Sequence, residues 1–264
     1  MTEPKWKVEV DSGRLTISSD DFTFTTRGSD PADVELAVAD LQSAVRGTYG
    51  QYCGLSHAAE IVGERWGFLI VRDLLVGPRS VADLCGGLPG ASVRLVTRRL
   101  TELAHSGVVR AVDGTGADPR YELTEYGRAI EDAVLAFGRW GAVALAMPRP
   151  DDVVTHSSLI VALKATFRPD VASGVRMSCE LRVGGHVLGV RVDDGALDVT
   201  AGPLPGADAV LDLGYVLLAL MNGEMTAADV LATGQARVDG DPALLHRFAA
   251  MFRLPDVPAP AVPA

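Results

Sequence analysis

The chain has 264 residues, 48% of them hydrophobic and 22% charged, and a formal net charge of -10. That balance fits a folded protein of about two domains and excludes a disordered or collagen-like chain. Apolar runs such as "VALAM" and "YVLLALM" are much shorter than the ~18 residues of a membrane span, and "MTEPKWKVEV" resembles neither a signal nor a transit peptide, so a cytoplasmic protein with no membrane partner is expected.

The acid is unevenly spread: residues 1–46 hold five basic and nine acidic side chains, 47–148 ten and eleven, and 149–264 nine and fourteen. A polyanion would be repelled least by the middle third. Lys5, Lys7 and Lys164 are the only lysines among 24 basic residues, and alanine is abundant, as in bacteria with GC-rich genomes. Cys53, Cys85 and Cys179 form no C-x-x-C pair, which argues against a disulfide framework or a zinc site.

From Trp6 to Phe24 the apolar residues alternate between "DSG" and "SDD" turns, predicting a meander of three short strands. "SDPADVELAVADLQSAVRG" follows, with Ser29 or Asp30 as N-cap, Pro31 in the first turn and Val34, Val38, Leu41 and Val45 on one face, which predicts an amphipathic helix over 31–46. It runs directly into the next segment and is assigned to dimerisation.

Residues 55–146 predict the order α-α-α-α-β-β-α. "SHAAEIVG" and "RWGFLIVRDLLVG" are helical, and "SVADLCGGL" starts at Ser80 as N-cap and stops at Gly86 and Gly87. "ASVRLVTRRLTELAH" is a basic helix, "GVVRAV" and "RYEL" form a hairpin around "DGTGAD", and one long helix begins at Thr124. At ~100° per residue, Val93, Val96, Leu100, Leu103 and Ala104 of the basic helix form a buried stripe. Arg94, Leu95, Arg98 and Glu102 lie opposite, with Arg99 on the flank. A helix, a tight turn, an arginine-bearing helix and a hairpin make the layout of a winged helix-turn-helix, whose second helix enters the major groove of double-stranded DNA.

"YCGL", "GERW", "GP" at 77–78, "LPG" before Ser92, "RRLTELAHSGVV" and "YELTEYG" run through most of 52–141. In these motifs the chain resembles the HxlR-type branch of winged-helix transcriptional regulators. The resemblance implies a homodimer on a pseudo-palindromic operator, with the segment before Cys53 and the final helix making the dimer contacts. It implies that Arg94, Arg98 and Arg99 face DNA, with Ser92 and Thr97 near the backbone. The hairpin tip offers only Arg120, so the wing is sparse. Some members sense oxidants through a cysteine at the place of Cys53, which makes that residue a candidate redox sensor; the alternative is an inert, buried thiol.

"PRPDD" at 148–152 is a linker by composition. Beyond it "SSLIVALKATF" is helical, "VRMSCELRV", "HVLGVRVDD", "ALDVTAG" and "AVLDL" are strands turned at Gly184, Gly185 and Asp194-Gly195, and "GYVLLALMNG" and "TAADVLA" are helices. A short strand "GQARVDG" and a last helix "PALLHRFAAMF" close the domain. Residues 190–202, 205–213 and 221–248 resemble the sterol-carrier-protein-like lipid-binding fold. Leu217, Leu220, Met221, Met225, Phe248, Met251 and Phe252 are the candidate lining of an apolar pocket, although any α+β core needs such residues.

The expected architecture is α+β: a β-meander and helix (1–46), a winged-helix DNA-binding domain (47–148), a sterol-carrier-like ligand-binding domain (152–253) and a disordered Pro-rich tail (254–264). There is no P-loop or complete G-x-G-x-x-G, "GLSHA" does not follow a strand as a nucleophile elbow must, and the five histidines are scattered, so no catalytic residue, metal or cofactor is expected. The expected function is a sequence-specific, homodimeric DNA-binding regulator modulated by a small apolar ligand. The alternative is a carrier or sequestering protein in which the winged helix serves assembly.

Overall fold

The structure is a computed structural model and describes residues 7–11, 14–19, 22–27, 48–112, 119–145 and 152–256. The helix predicted over 31–46, the hairpin tip 113–118, most of the 148–152 linker and residues 257–264 lie outside the described residues. Packing divides the chain into two units, residues 1–64 and 65–264. In the first, β1 (Lys7–Asp11), β2 (Arg14–Ser19) and β3 (Phe22–Arg27) form the expected antiparallel meander. The same unit holds α1 (Gly54–Val62). The Glu60 carboxylate accepts from the Thr48 hydroxyl at 2.8 Å and the Tyr49 N–H at 2.7 Å, which ties the preceding loop to that helix.

The second unit begins with a winged helix: α2 (Gly67–Val76), β4 (Arg79–Ser80), α3 (Val81–Gly87), α4 (Val93–His105), β5 (Val109–Ala111) and β6 (Arg120–Leu123), with sheet order β4-β6-β5. Ser80 caps α3 through a capping box: its hydroxyl accepts from the Asp83 N–H, and the Asp83 carboxylate accepts from the Ser80 N–H. The single long helix expected from Thr124 is instead two, α5 (Glu125–Arg128) and α6 (Glu131–Ala142). Between them the turn tightens, with Ile130 N–H reaching the Gly127 carbonyl. Gly127 also packs so closely on β5 that a Cβ there would collide with the Val108 carbonyl. The Thr124 hydroxyl donates to the Gly107 carbonyl at 2.6 Å and accepts from the Gly127 N–H, holding this corner in place.

Helix α7 (His156–Thr166) opens the C-terminal half and is apolar on almost all sides; Leu159, Ile160, Val161, Leu163 and Ala165 are all buried. Such a helix needs partners around it. One side packs on the five-stranded sheet β11-β10-β7-β8-β9, formed by β7 (Arg176–Val183), β8 (His186–Asp193), β9 (Ala196–Ala201), β10 (Ala209–Asp212) and β11 (Arg237–Gly240). β10 runs parallel to β7, and the other neighbours are antiparallel. Both expected tight turns are present, with positive φ at Gly184 and Gly185 and at Asp194 and Gly195. Inward residues of β7 (Met177, Cys179, Leu181, Val183) meet α8 (Leu217–Asn222), α9 (Ala227–Ala232) and α10 (Ala243–Met251) in one core.

The other side of α7 packs on α2 and α6 of the winged helix. The halves expected as separate domains on either side of residues 148–152 therefore share a seam within one unit. At one end of the seam, buried Asp73 pairs with Arg72 at 2.8 Å, and the Arg79 guanidinium reaches the Ser157 hydroxyl. Burial pushes the Asp73 carboxyl above the usual range, against the pull of Arg72, Arg79 and Ser157. At the other end Lys164 pairs with Glu131 at 2.8 Å, and Arg139 donates to the Ala165 carbonyl at 3.1 Å. The chain also stays packed beyond the expected boundary at 253: Leu254 is buried and its N–H donates to the Met221 carbonyl.

Two outcomes follow. Gly127→Ala should destabilise the fold by about 3 kcal/mol or more in urea unfolding, because the obstacle is backbone rather than a movable side chain. Calorimetry should show the winged helix and the C-terminal half melting in one transition; two well-separated transitions would contradict the shared seam.

Candidate nucleic-acid interface

Helix α4 starts at Ser92, whose hydroxyl accepts from the Leu95 N–H at 3.3 Å. Its first turn carries no acidic residue, so the positive end of the helix dipole adds to the field of Arg94. Val96, Leu100 and Leu103 are buried, each contributing roughly 2 kcal/mol of apolar transfer energy. Opposite them Arg94, Thr97, Arg98 and Thr101 are exposed at i, i+3, i+4 and i+7, one continuous line on the solvent face.

Four positions on α4 differ from the sequence expectation. Val93 is 62% exposed rather than inward, because at the first position of the helix it lies beyond the end of the packed stripe. Ala104 is also exposed, and Leu95 is half-buried rather than fully outward. Arg99, expected to face DNA, is largely covered: only 15% of its side chain is exposed, against 67% for Arg98. Both guanidinium groups meet one carboxylate, Arg98 Nε donating to Glu102 Oε1 at 2.8 Å and Arg99 pairing with Glu102 Oε2. Glu102 thus offsets part of the positive charge on this helix, an effect readable from its i+4 and i+3 spacing to the two arginines.

The wing strands are held by Arg110, which donates to Glu122 Oε1 through Nε at 2.8 Å and Nη2 at 2.6 Å. Arg120 sits at the base of the wing on β6, opposite Ser80, and donates to the Pro78 carbonyl at 2.6 Å. That bond fixes its side chain to the winged-helix body. Thr101 is an exposed position on the recognition helix that the helical-wheel reading did not single out, and Val93 one that it placed inward.

In the first unit Cys53 is exposed and stands at the N-cap of α1, where the N–H groups of Ser56 and Leu55 hold its thiol below the ordinary value. The buried-thiol alternative therefore does not apply to it. Cys179 is the contrasting case, buried in the sheet and pushed up to about 12 by burial and by Asp208.

Of the seven residues expected to line an apolar pocket, Leu217, Leu220, Met221, Phe248, Met251 and Phe252 are buried in the core and Met225 packs at its edge. Phe248 and Phe252 stack with ring centres 4.4 Å apart, and Phe167 meets Phe252 at 5.4 Å. The fold also pairs two histidines that sequence spacing kept apart, His156 and His186, edge to face at 4.7 Å. Burial, with the nearby His186 and Arg79, lowers the pKa of His156. Among the described residues no group of three His, Cys, Asp or Glu side chains gathers to hold a metal, and no helix is long and apolar enough to cross a membrane.

The profile of the HxlR-like helix-turn-helix family matches residues 61–147, which span α2 to α6. An uncharacterized HTH-type transcriptional regulator of Synechocystis sp. is 30% identical over 95 residues, covering 35% of this chain and 70% of that protein. The chain belongs to the HxlR-like helix-turn-helix family. An uncharacterized HTH-type transcriptional regulator of Mycobacterium bovis is 33% identical over 118 residues, 44% of this chain and 70% of that one. Among solved structures, the HTH-type regulator YtcD is 27% identical with a TM-score of 0.32, covering 34% of this chain and 94% of that chain. As a member of the HxlR-like family the chain is a DNA-binding transcriptional regulator.

Glu102→Gln should remove one carboxylate partner from both neighbouring arginines. Its affinity for any duplex DNA should rise several-fold, and the slope of log K against log salt should steepen by up to about one unit. An unchanged slope would remove Arg98 from the phosphate contacts.

Proposed function

We propose that this HxlR-like protein is a sequence-specific regulator that binds a pseudo-palindromic operator as a homodimer, and that a small apolar ligand in a sterol-carrier-like C-terminal half modulates it. The observation that carries the DNA reading is the exposed face of α4. Arg94 and Arg98 supply base-edge or phosphate contacts, Thr97 and Thr101 supply hydroxyls, and Val93 projects a branched apolar side chain suited to a thymine methyl group. A carrier whose winged helix served only assembly would have no use for two outward arginines there. Ser92 contributes through its cap and can present its exposed backbone to phosphate, Leu95 supports the entering turn, and Arg120 stiffens the wing base. Arg99 shapes the charge of the helix through Glu102.

Dimerisation is supported by apolar surface on α6 and just after it. Phe137, Trp140 and Leu145 are 54%, 77% and 61% exposed, a concentration that isolated soluble surfaces seldom carry. In the first unit Tyr49, Tyr52 and Leu55 add further exposed apolar area. Ligand modulation is supported by the methionine- and phenylalanine-rich core around Met221, Met251, Phe248 and Phe252, whose adaptable side chains would have to part to admit a guest. Cys53, exposed with a lowered pKa, is the candidate redox sensor.

Fluorescence anisotropy on the DNA upstream of the protein's own gene, at several salt concentrations, tests the reading. Arg98→Ala should weaken operator binding about tenfold and flatten the salt slope by about one unit; binding that ignores DNA sequence would defeat the proposal. Light scattering should give twice the chain mass of 27.8 kDa, and Trp140→Asp should shift it towards the monomer. A bimane probe should label Cys53 well before Cys179 at neutral pH, and equal rates would remove the sensor assignment.

A further inference from the structure

An open cleft of about 400 Å³ lies on the seam between the winged helix and the C-terminal half. It is lined by Arg139 of α6, by Phe167 and Arg168 just after α7, and by Arg253, Leu254 and Asp256 after α10. The lining holds three arginines and one aspartate in a chain whose net charge is -10. Local charge therefore opposes the global charge here, as it does on α4.

The arginines are only lightly engaged by the protein. Arg139 gives one N–H to the Ala165 carbonyl, and Arg168 reaches Asp170 only at 3.7 Å. Among the described residues the Arg253 guanidinium has no hydrogen bond or ion pair. It lies against Gly223, where a Cβ would collide with it, so the bare backbone of that turn makes room for the group. Three carbonyls at the end of α7 are already engaged. The Leu163 carbonyl accepts from Phe167 N–H, the Thr166 carbonyl from Arg253 N–H, and the Ala165 carbonyl from Arg139. Phe167 and Leu254 add an apolar wall continuous with the core through the Phe167–Phe252 contact.

We propose that this cleft binds a small dicarboxylate with a compact apolar body, and that the ligand clamps α6 to the C-terminal half. With Asp256 in the lining and Asp170 beside Arg168, three cations meet two anions and the cleft keeps a net positive charge, while three guanidinium groups on separate segments can share two carboxylates. Guanidinium forks match carboxylate geometry, whereas an ammonium would act as a point charge. A ligand bridging Arg139 to Arg168 and Arg253 joins the last helix of the DNA-binding half to the C-terminal core, so occupancy bears on the helix assigned above to dimerisation. The effector role rests on the proposed regulatory function; the binding site does not.

Calorimetric titration of the full chain with phthalate, benzoate and benzamide tests the site. Phthalate should bind at least about tenfold more tightly than benzoate, with benzamide weaker still, and binding should weaken with salt. Arg168→Met and Arg253→Met keep the apolar stems of exposed side chains, and each should weaken phthalate about tenfold. Equal binding of benzamide, indifference to both substitutions, or no binding at about 10 mM phthalate would overturn the site. Operator anisotropy with and without phthalate reads the coupling. A shift in the native chain that Arg253→Met abolishes supports the effector role, and tight phthalate binding with unchanged operator affinity overturns it. Phthalate binding by a chain that shows no sequence preference for DNA would sink the regulatory function and leave the cleft standing.

Discussion

The burial of α7 on two sides is the constraint from which the rest of the second unit follows. Leu159, Ile160 and Leu163 seal the C-terminal core, while the same helix lies against α2 and α6 of the winged helix. Each fully buried aliphatic side chain contributes roughly 2 kcal/mol, so neither neighbour can leave without exposing a helix that is apolar all round. The polar contacts at its ends set the register. Asp73, Arg79 and Ser157 meet at the start of the helix, and Glu131–Lys164 and Arg139–Ala165 at its end. The buried carboxylate of Asp73 is costly unless its arginines stay in place, which makes the seam specific in position as well as stable.

This arrangement gives the DNA-binding half a mechanical neighbour. Helix α6 touches α7 on one side and presents Phe137, Trp140 and the start of an apolar surface on the other. A change at the seam therefore has a short physical path to any partner on that surface. The path runs through packed side chains and a few hydrogen bonds within one unit and needs no hinge.

Electrostatics on α4 is a local matter. Glu102 holds Arg98 and Arg99 together and partly neutralises them, while Arg94 stands in the first turn, where the helix dipole already favours anions. In an acidic chain, outward arginines on one helix make that face less repellent to nucleic acid than the net charge implies. The same opposition of local and global charge recurs at the seam cleft, where Arg139, Arg168 and Arg253 converge.

Much of this was legible in the sequence because the devices are local. Period-2 alternation marked the meander and the five strands of the C-terminal sheet, Ser80 and Ser92 marked helix starts, and Gly184-Gly185 and Asp194-Gly195 marked the tight turns. Buried Val96, Leu100 and Leu103 and outward Arg94 and Arg98 followed from helical spacing alone. What depends on neighbours distant in the chain was decided only in three dimensions. Spacing cannot say where the packed stripe of α4 stops, so Val93 and Ala104 emerged exposed, or how far a flanking arginine is covered, so Arg99 turned out shielded. The break before α6 reflects the close approach of Gly127 to a strand some twenty residues earlier. The meeting of Arg139, Arg168 and Arg253 needs three segments spread over more than a hundred residues of the chain to close on one seam. Local periodicity and capping act through neighbours a few residues away and are written in the chain, whereas exposure, convergence and seams depend on which surfaces the folded core brings together.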